Sequence, residues 1–456
     1  MAVTVENVGK LSINDLIQEW LNPTSEDKVD DVIIKNGAIN ELPGIISKYG
    51  YKHPLLVCDT NTFKAAGEKV SQLLDKNGIE HKKYIYHTEH DLVPDETAVG
   101  KLLVAIDKNT DLLLVVGSGV LNDIGKFVSK KVHIPEILVA TAPSMDGFIS
   151  STSAMTLNNL KSSVSCGLPH IIIGDIDILK KAPKRMILAG LGDMIGKYSA
   201  LIDWNLSVFI NGESYSDVAA KLSETAVEKC VKSILSAKDG EGFSDEAIQH
   251  IMEGLIGTGI AMSYVGNSRP ASGSEHHLSH YWELMFLFLG KEALLHGTKV
   301  GLTSLIVAKI YEWFLKEENI NFDKAEKTIN NFKESEWEAT ITNLYKKAAP
   351  EIILKAKQDK RNDKATRLNR VKFIKEHLPE IKDIIRHAKK YSEVRSIMEK
   401  AGAPLYPQDV GIEQPIIHNS MLVAHEVRQR YTILNMLHDL DLLDKYAGFV
   451  DEFVKK

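Results

Sequence analysis

Three histidines and one aspartate carry the sharpest chemical signal in the chain. His276 and His280 stand four residues apart in the run Ser274-Glu275-His276-His277-Leu278-Ser279-His280, so a helix there projects both from one face. His296 follows 20 residues after His276, enough for one helix, a turn and the start of the next. Upstream, Gly192-Asp193 opens the helix-patterned stretch AGLGDMIGKYSALIDW. Two imidazoles and one carboxylate give a divalent metal three ligands and leave positions open for substrate, the pattern of a catalytic rather than a structural centre. The spacing is not His-Glu-x-x-His, so metalloprotease chemistry has no support. The plainer alternative is a set of packed or helix-face histidines with Asp193 as a helix cap.

Two loops suit a nucleotide. The first, Gly117-Ser118-Gly119-Val120-Leu121-Asn122-Asp123-Ile124-Gly125-Lys126, follows the apolar run Leu112 to Val116. A glycine-rich turn between strand and helix lets backbone N–H groups approach phosphates at a helix N-terminus. It is not a Walker A loop, because five residues separate Gly119 from Gly125 and Phe127 follows Lys126 where Ser or Thr would bind magnesium. Nor is it Gly-x-Gly-x-x-Gly, since Asn122 holds the third glycine's place. The second loop is Thr141-Ala142-Pro143-Ser144-Met145-Asp146-Gly147, with hydroxyls to bond a nucleotide or sugar and Asp146 at the mouth of the sheet. Asp59 ends an earlier strand, where a carboxylate accepts hydrogen bonds from an adenosine ribose. The local alternatives are a turn capped by Asn122 or Asp123, a Pro-initiated turn with an Asp146 cap, and Asp59 as the N-cap of a helix after Asn61.

These residues need elements to hold them. Short apolar runs at Pro54 to Cys58, Leu112 to Val116, Ile137 to Ala140 and Ile171 to Ile173 alternate with helical stretches such as Thr62 to Lys76 and Ala98 to Asp107. That alternation predicts βαβ units and a mainly parallel sheet. After Pro183 the pattern is helical, with Met186 to Trp204, Ser216 to Ala237, Asp245 to Met262, Glu275 to Leu289 and Thr298 to Leu315 as the clearest segments. The stretch 316–400 is helical and heavily charged with mixed signs, which reads as solvated helix faces. A Gly/Pro-punctuated turn at AGAPLYPQDVG precedes a last helical region ending around Leu443. The expected architecture is α/β: a Rossmann-like parallel-sheet domain, 1–182, then an all-helical domain, 183–456, with the active site in the cleft between.

Composition narrows the function classes. The chain has 456 residues, 44% apolar and 25% charged, the balance of a multidomain globular protein. Lys plus Arg total 55 against 61 Asp plus Glu, a net charge of −6, which argues against a protein built to coat nucleic acid. Cys58, Cys166 and Cys230 are odd in number and scattered, so neither a disulfide framework nor a Cys-x-x-Cys knuckle is expected. No apolar run reaches the roughly 18 residues that would span a bilayer, and the opening residues lack a secretory signal's character. The expectation is a cytoplasmic enzyme with no stable membrane insertion.

Taken in order, GSGVLNDIGK, TAPSMDGFISS, AGLGDMIGKYSALIDW, NSRPASGSEHHLSHYWE and LHGTKVG resemble the sn-glycerol-1-phosphate dehydrogenase family, in particular its longer bacterial AraM-type form. That family belongs with glycerol dehydrogenase, the iron-containing alcohol dehydrogenases and 3-dehydroquinate synthase. The resemblance covers residues 50–315 and resumes at AGAPLYPQDVGI and AHEVRQRYTILNMLHDLDLL. It implies that Asp193, His276 and His296 bind one divalent metal, zinc or nickel, with iron also compatible with such a set. It implies catalytic and substrate-contacting roles for Asp146, Asp193 and His280. NAD(H) or NADP(H) would lie on Gly119, Val120, Leu121, Asn122, Asp123, Thr141, Ala142, Pro143, Ser144 and Ser150, with Asp59 at the ribose. His277 has no role in this mapping, and Cys166-Gly167-Leu168-Pro169-His170 departs from the family pattern.

The implied reaction is reversible reduction of dihydroxyacetone phosphate to sn-glycerol 1-phosphate, a step of phospholipid biosynthesis, by a homodimer acting on a small molecule and not on nucleic acid. Charge and proximity in sequence point to Arg269, Lys161, Ser272 and Ser274 for the phosphate. The competing readings are a glycerol or other polyol dehydrogenase, a dehydroquinate synthase-like enzyme, and a catalytically silent nucleotide-binding regulator.

Overall fold

The computed structural model describes residues 3–23, 26–87, 91–157, 160–238 and 242–455. Eight strands are present among them: β1 (Asp31–Lys35), β2 (Pro54–Asp59), β3 (Lys82–Tyr86), β4 (Leu112–Gly117), β5 (Glu136–Ala140), β6 (Thr152–Leu157), β7 (Leu160–Ser165) and β8 (Ile171–Asp175). Six of them form one sheet in the order β1-β8-β5-β4-β2-β3, and every pairing in it is parallel. Strands β4, β5 and β8 are buried along their whole length, which is why they read as unbroken apolar runs. The two edge strands do not: β1 is DVIIK and β3 is KKYIY, each with a single fully buried residue. The apolar-run reading predicts neither, because an edge strand needs no continuous apolar sequence. Strands β6 and β7 make a separate antiparallel hairpin, also unpredicted, from the Ser/Thr-rich stretch after the second loop.

The principal helices around this sheet are α1 (Leu42–Tyr49), α2 (Glu68–Lys76), α3 (Glu96–Ala105) and α4 (Gly119–Val132). From β2 the chain goes outward to the edge strand β3, then returns to place β4 on the other side of β2. The strand order reverses there, the position at whose carboxyl ends open α/β sheets bind ligands. Asp59 and Gly117 are the last residues of the two strands that flank this switch point.

Past β8 the protein is helical: α5 (Lys184–Asn211), α6 (Asp217–Leu235), α7 (Asp245–Val265), α8 (Ser274–Phe288) and α9 (His296–Leu315) match the expected segments to within a few residues, except that α5 runs longer. Two compact units result: residues 1–194 with 218–267, and residues 195–217 with 268–456. The division passes through α5, a single unbroken helix. In the first unit β1 packs against α7; the three cysteines, all in this unit, are buried and form no disulfide. In the second, Tyr281, Trp282, Tyr311 and Phe314 of α8 and α9 share an apolar core with residues from the C-terminal helices Gln414–Val423, Ile433–Asp439 and Leu443–Phe453. The last of these lies beyond the expected end near Leu443, and it buries Leu443, Tyr446, Ala447 and Val450. The charged stretch 316–400 forms short helices with narrow buried stripes, such as Ile381 and Ile385 in Leu378–Arg386, as mixed-charge solvated faces predict.

Candidate metal centre and nucleotide loops

In the first unit the two loops lie side by side at the ends of β4 and β5, whose Gly117 and Ala140 pair. Helix α4 begins at Gly119 with Ser118 at the cap position, so Asn122 and Asp123 fall inside its first turns and are not caps. The Ser118 hydroxyl lies 2.6 Å from the Ser144 hydroxyl and donates to the carbonyl of Ala142. Thr141 N–H donates to the Gly117 carbonyl at 3.0 Å. Asn122 Nδ2 reaches the Gly147 carbonyl at 3.3 Å.

The strongest tie is Lys126, which is fully buried. Its Nζ donates to the carbonyls of Gly147, Ser150 and Thr152 at 2.8, 3.1 and 3.2 Å. A buried ammonium must have partners, and three carbonyls plus Asp123 at 3.6 Å supply them. Gly119, Val120, Leu121, Asn122 and Asp123 on one side and Thr141, Ala142, Pro143, Ser144 and Ser150 on the other are thus parts of one stitched assembly. At the end of β2, Asp59 caps the following turn, its Oδ1 accepting from the N–H groups of Asn61 and Thr62 at 2.8 and 2.7 Å. The capping alternative for Asp59 is therefore the local structure.

Helix α5 passes directly against the second loop. A Cβ on Gly190 would stand 1.9 Å from the Pro143 carbonyl oxygen, so only glycine permits this approach. The approach brings Asp193 to the loop, where the backbone N–H of Asp146 donates to Asp193 Oδ2 at 3.0 Å. Asp193 is fully buried well inside α5, so it neither opens nor caps the helix as expected. One turn further on, the same helix repeats the device at Gly196. A Cβ there would lie 2.6 Å from Val300 Cγ1 and 3.7 Å from His276 Cε1.

Asp193, His276 and His296 each offer one ligand atom, and these atoms all lie within 4.8 Å of one another. They stand on α5, α8 and α9. His276 Nδ1 lies 2.7 Å from Glu275 Oε1 and His276 Nε2 lies 3.2 Å from His296 Nε2. A carboxylate at Nδ1 makes that nitrogen the donor and leaves Nε2 as a bare lone pair facing the second imidazole. Two nitrogens held about 2.0–2.1 Å from one tetrahedral ion stand roughly 3.3 Å apart, so the pair fits a shared cation. The donor set, two imidazoles and a carboxylate, suits zinc, nickel or iron.

Glu275 is itself buried and fully engaged: Oε1 also accepts from Gly273 N–H at 2.7 Å and Oε2 from the Ser199 hydroxyl at 2.7 Å. Burial raises its carboxyl, and those hydrogen bonds oppose the rise. His280 lies on the same face of α8, its ring centre 6.0 Å from that of His276 and 5.7 Å from that of His296. Burial and then the Arg428 guanidinium push its imidazole well below the usual range, against the pull of Glu283. Of the groups suggested for a phosphate, Arg269 is clamped onto Glu213 by two hydrogen bonds of 2.8 and 2.5 Å. The Ser274 N–H donates to Asp203, and the side chain of Lys161 lies outside the described residues.

Sequence reasoning missed Lys126, Glu275 and Ser118. Glu275 immediately precedes His276, and a carboxylate next to a candidate ligand histidine is a legible hint. Lys126 gave no such hint, since a lysine at a helix's second turn is ordinarily solvated.

The comparisons agree with this arrangement. The family described as iron-containing alcohol dehydrogenase matches residues 33–183. A glycerol-1-phosphate dehydrogenase [NAD(P)+] of Halalkalibacterium halodurans is 30% identical over 414 residues, covering 90% of this chain and 93% of that one. An enzyme of the same name from Methanosarcina mazei is 28% identical over 443 residues, covering 96% and 98%. Among solved structures, glycerol dehydrogenase from Schizosaccharomyces pombe superposes with a TM-score of 0.58 at 15% identity, covering 93% of this chain and 91% of that one, a likeness of fold. With that identity sustained along nearly the whole length, the chain belongs to the glycerol-1-phosphate dehydrogenase family.

Proposed function

We propose that this protein is an NAD(P)-dependent, divalent-metal-dependent dehydrogenase that reversibly converts dihydroxyacetone phosphate to sn-glycerol 1-phosphate. The observation that carries the reading is the convergence of Asp193, His276 and His296 to within 4.8 Å. The curated relatives of that name, bacterial and archaeal, support the substrate and the cofactor. Functionally, residues 1–182 serve the nicotinamide cofactor and residues 183–456 the metal and the substrate.

When bound, the cation supplies Lewis acidity toward the ketone oxygen and the reduced nicotinamide supplies the hydride. The chain supplies the rest. Gly119 to Asp123 present backbone N–H groups at the start of α4 to the pyrophosphate. Thr141, Ser144 and Ser150 hold the second loop's side of the cofactor, and Asp59 takes the ribose. Asp193 is aimed by the Asp146 N–H, and Glu275 holds His276 in the tautomer that leaves Nε2 free. Asp146 accepts a substrate hydroxyl. His280, kept neutral by burial and Arg428, relays the proton to the substrate oxygen. The described residues contain no helix long and apolar enough to cross a membrane, and we place the enzyme in the cytoplasm as a homodimer.

The test is NADH or NADPH consumption with dihydroxyacetone phosphate against dihydroxyacetone, on protein of measured metal content. A clear preference for the phosphorylated ketone is expected. Equal or better use of dihydroxyacetone, or of glycerol in reverse, would make it a polyol dehydrogenase, and no turnover despite bound metal would sink the enzymatic reading.

A further inference from the structure

The second unit holds a cationic cluster that the sequence reading left without a role. Ser268 precedes α8, and its hydroxyl accepts from Arg430 at 2.5 Å and from Arg428 at 3.5 Å. Arg428 and Arg430 lie in the irregular segment between Gln414–Val423 and Ile433–Asp439, and both are half-buried. The segment is pinned at its far end, where Ile433 N–H donates to the buried Asp203 at 2.8 Å. Arg269 completes the cluster from behind. Its third hydrogen bond goes to the Tyr431 carbonyl at 2.9 Å, and its charge is matched by Glu213. Arg430 is bonded to a hydroxyl, and the acids that act on it, Glu213 and Glu275, offset its guanidinium neighbours Arg428 and Arg269 only in part.

The segment that carries Ser268 and Arg269 continues into buried polar groups that are unsatisfied. His277 is completely buried, yet neither ring nitrogen has a hydrogen-bond partner, and the Ser272 hydroxyl is buried in the same condition. Burial and the two neighbouring guanidinium groups lower Arg430 to about 9. Guanidinium groups that repel one another beside orphaned donors are stabilised by an incoming anion, and a planar fork matches phosphate oxygens two at a time. The cluster also lies beside the start of α8, because the N–H groups of Ser274 and Ile433 donate to the same carboxylate, Asp203, at 2.7 and 2.8 Å, and α8 carries His276 and His280.

We propose that Arg428 and Arg430, with His277 and Ser272 beneath them, bind the phosphate of the substrate and set the preference for a phosphorylated over a free triose. This rests on the function proposed above, and it gives part of the C-terminal extension a role in specificity. His277, the neighbour without a role, becomes the residue that turns a metal-binding helix toward the phosphate.

The experiment compares the metal-loaded wild type with Arg428→Gln/Arg430→Gln. KM and kcat are measured with dihydroxyacetone phosphate and with dihydroxyacetone, and inorganic phosphate is titrated calorimetrically into each protein. The double variant is expected to raise KM for the phosphorylated ketone by roughly 10–100-fold, to shrink the preference by the same factor and to lose phosphate binding. Arg430→Lys keeps the charge without the fork and is expected to fall between them, which covers a double variant that does not fold. A wild type that prefers the phosphorylated ketone while the folded, metal-loaded variants keep its KM and its phosphate affinity would overturn the assignment. A wild type with no such preference would instead overturn the function on which it rests, and a wild type that binds no phosphate would overturn the anion site outright.

Discussion

Oε1 of Glu275 lies 2.7 Å from Nδ1 of His276, a contact that would suit the imidazole to the metal-ligand role proposed for it. It fixes which nitrogen carries the proton, turns Nε2 toward His296, and adds basicity to the ligand. Two further hydrogen bonds, from Gly273 and Ser199, keep the carboxylate from rotating away.

Removing this support is expected to weaken metal binding without touching a ligand. Glu275→Ala should lower metal affinity about 10–100-fold, read as metal retained after dialysis against graded chelator. Unchanged retention would show that His276 needs no orienting partner.

The ligand assignment itself is tested at α9. His296→Ala removes one of three ligands and should leave a folded protein with little bound metal and turnover reduced by at least about a thousandfold. Wild-type turnover at unchanged metal content would remove His296 from the site.

Lys126 is expected to matter to the cofactor rather than to the metal. Lys126→Met gives up three hydrogen bonds from a charged donor, so the loop from Gly147 to Thr152 loses its anchor. Stability should fall by about 3 kcal/mol, and nicotinamide binding, followed by fluorescence quenching, should weaken several-fold with metal content intact. A variant with wild-type cofactor affinity would argue that the stitching is purely structural.

The C-terminal core is expected to be sensitive to acid. His425 and His438 stack with ring centres 4.3 Å apart, and burial holds His425 down to about 4 and His438 well below the usual range, helped by nearby arginines. The unfolded chain protonates both near 6.5, so the folded state binds fewer protons below that pH. The stability from their neutral burial is therefore complete above about pH 6.5 and is lost as pH falls toward 4, at about 1.4 kcal/mol per pH unit for each group. Denaturant titrations across this window should show the slope, and His425→Phe should reduce it. An identical slope in the variant would place the sensitivity elsewhere.

Local chemistry determined much of this protein in advance. Central strands β4, β5 and β8 are buried on both faces, so their sequences are continuous apolar runs that need no context to recognise. A helical period alone puts His276 and His280 on one face, and the two loops show their glycines and hydroxyls openly. What depends on distant neighbours was not legible. The edge strands β1 and β3 owe their conformation to a single partner each, and the hairpin β6–β7 to pairing within itself. Only the folded chain shows that Asp193 is a buried mid-helix residue held by a loop 47 positions away, or that Lys126 is fully enclosed. The same holds for Arg428 and Arg430, which reach Ser268 across 160 residues of sequence. Periodicity reports how much of a residue is buried, whereas a site depends on which groups share that burial, and tertiary packing alone decides that.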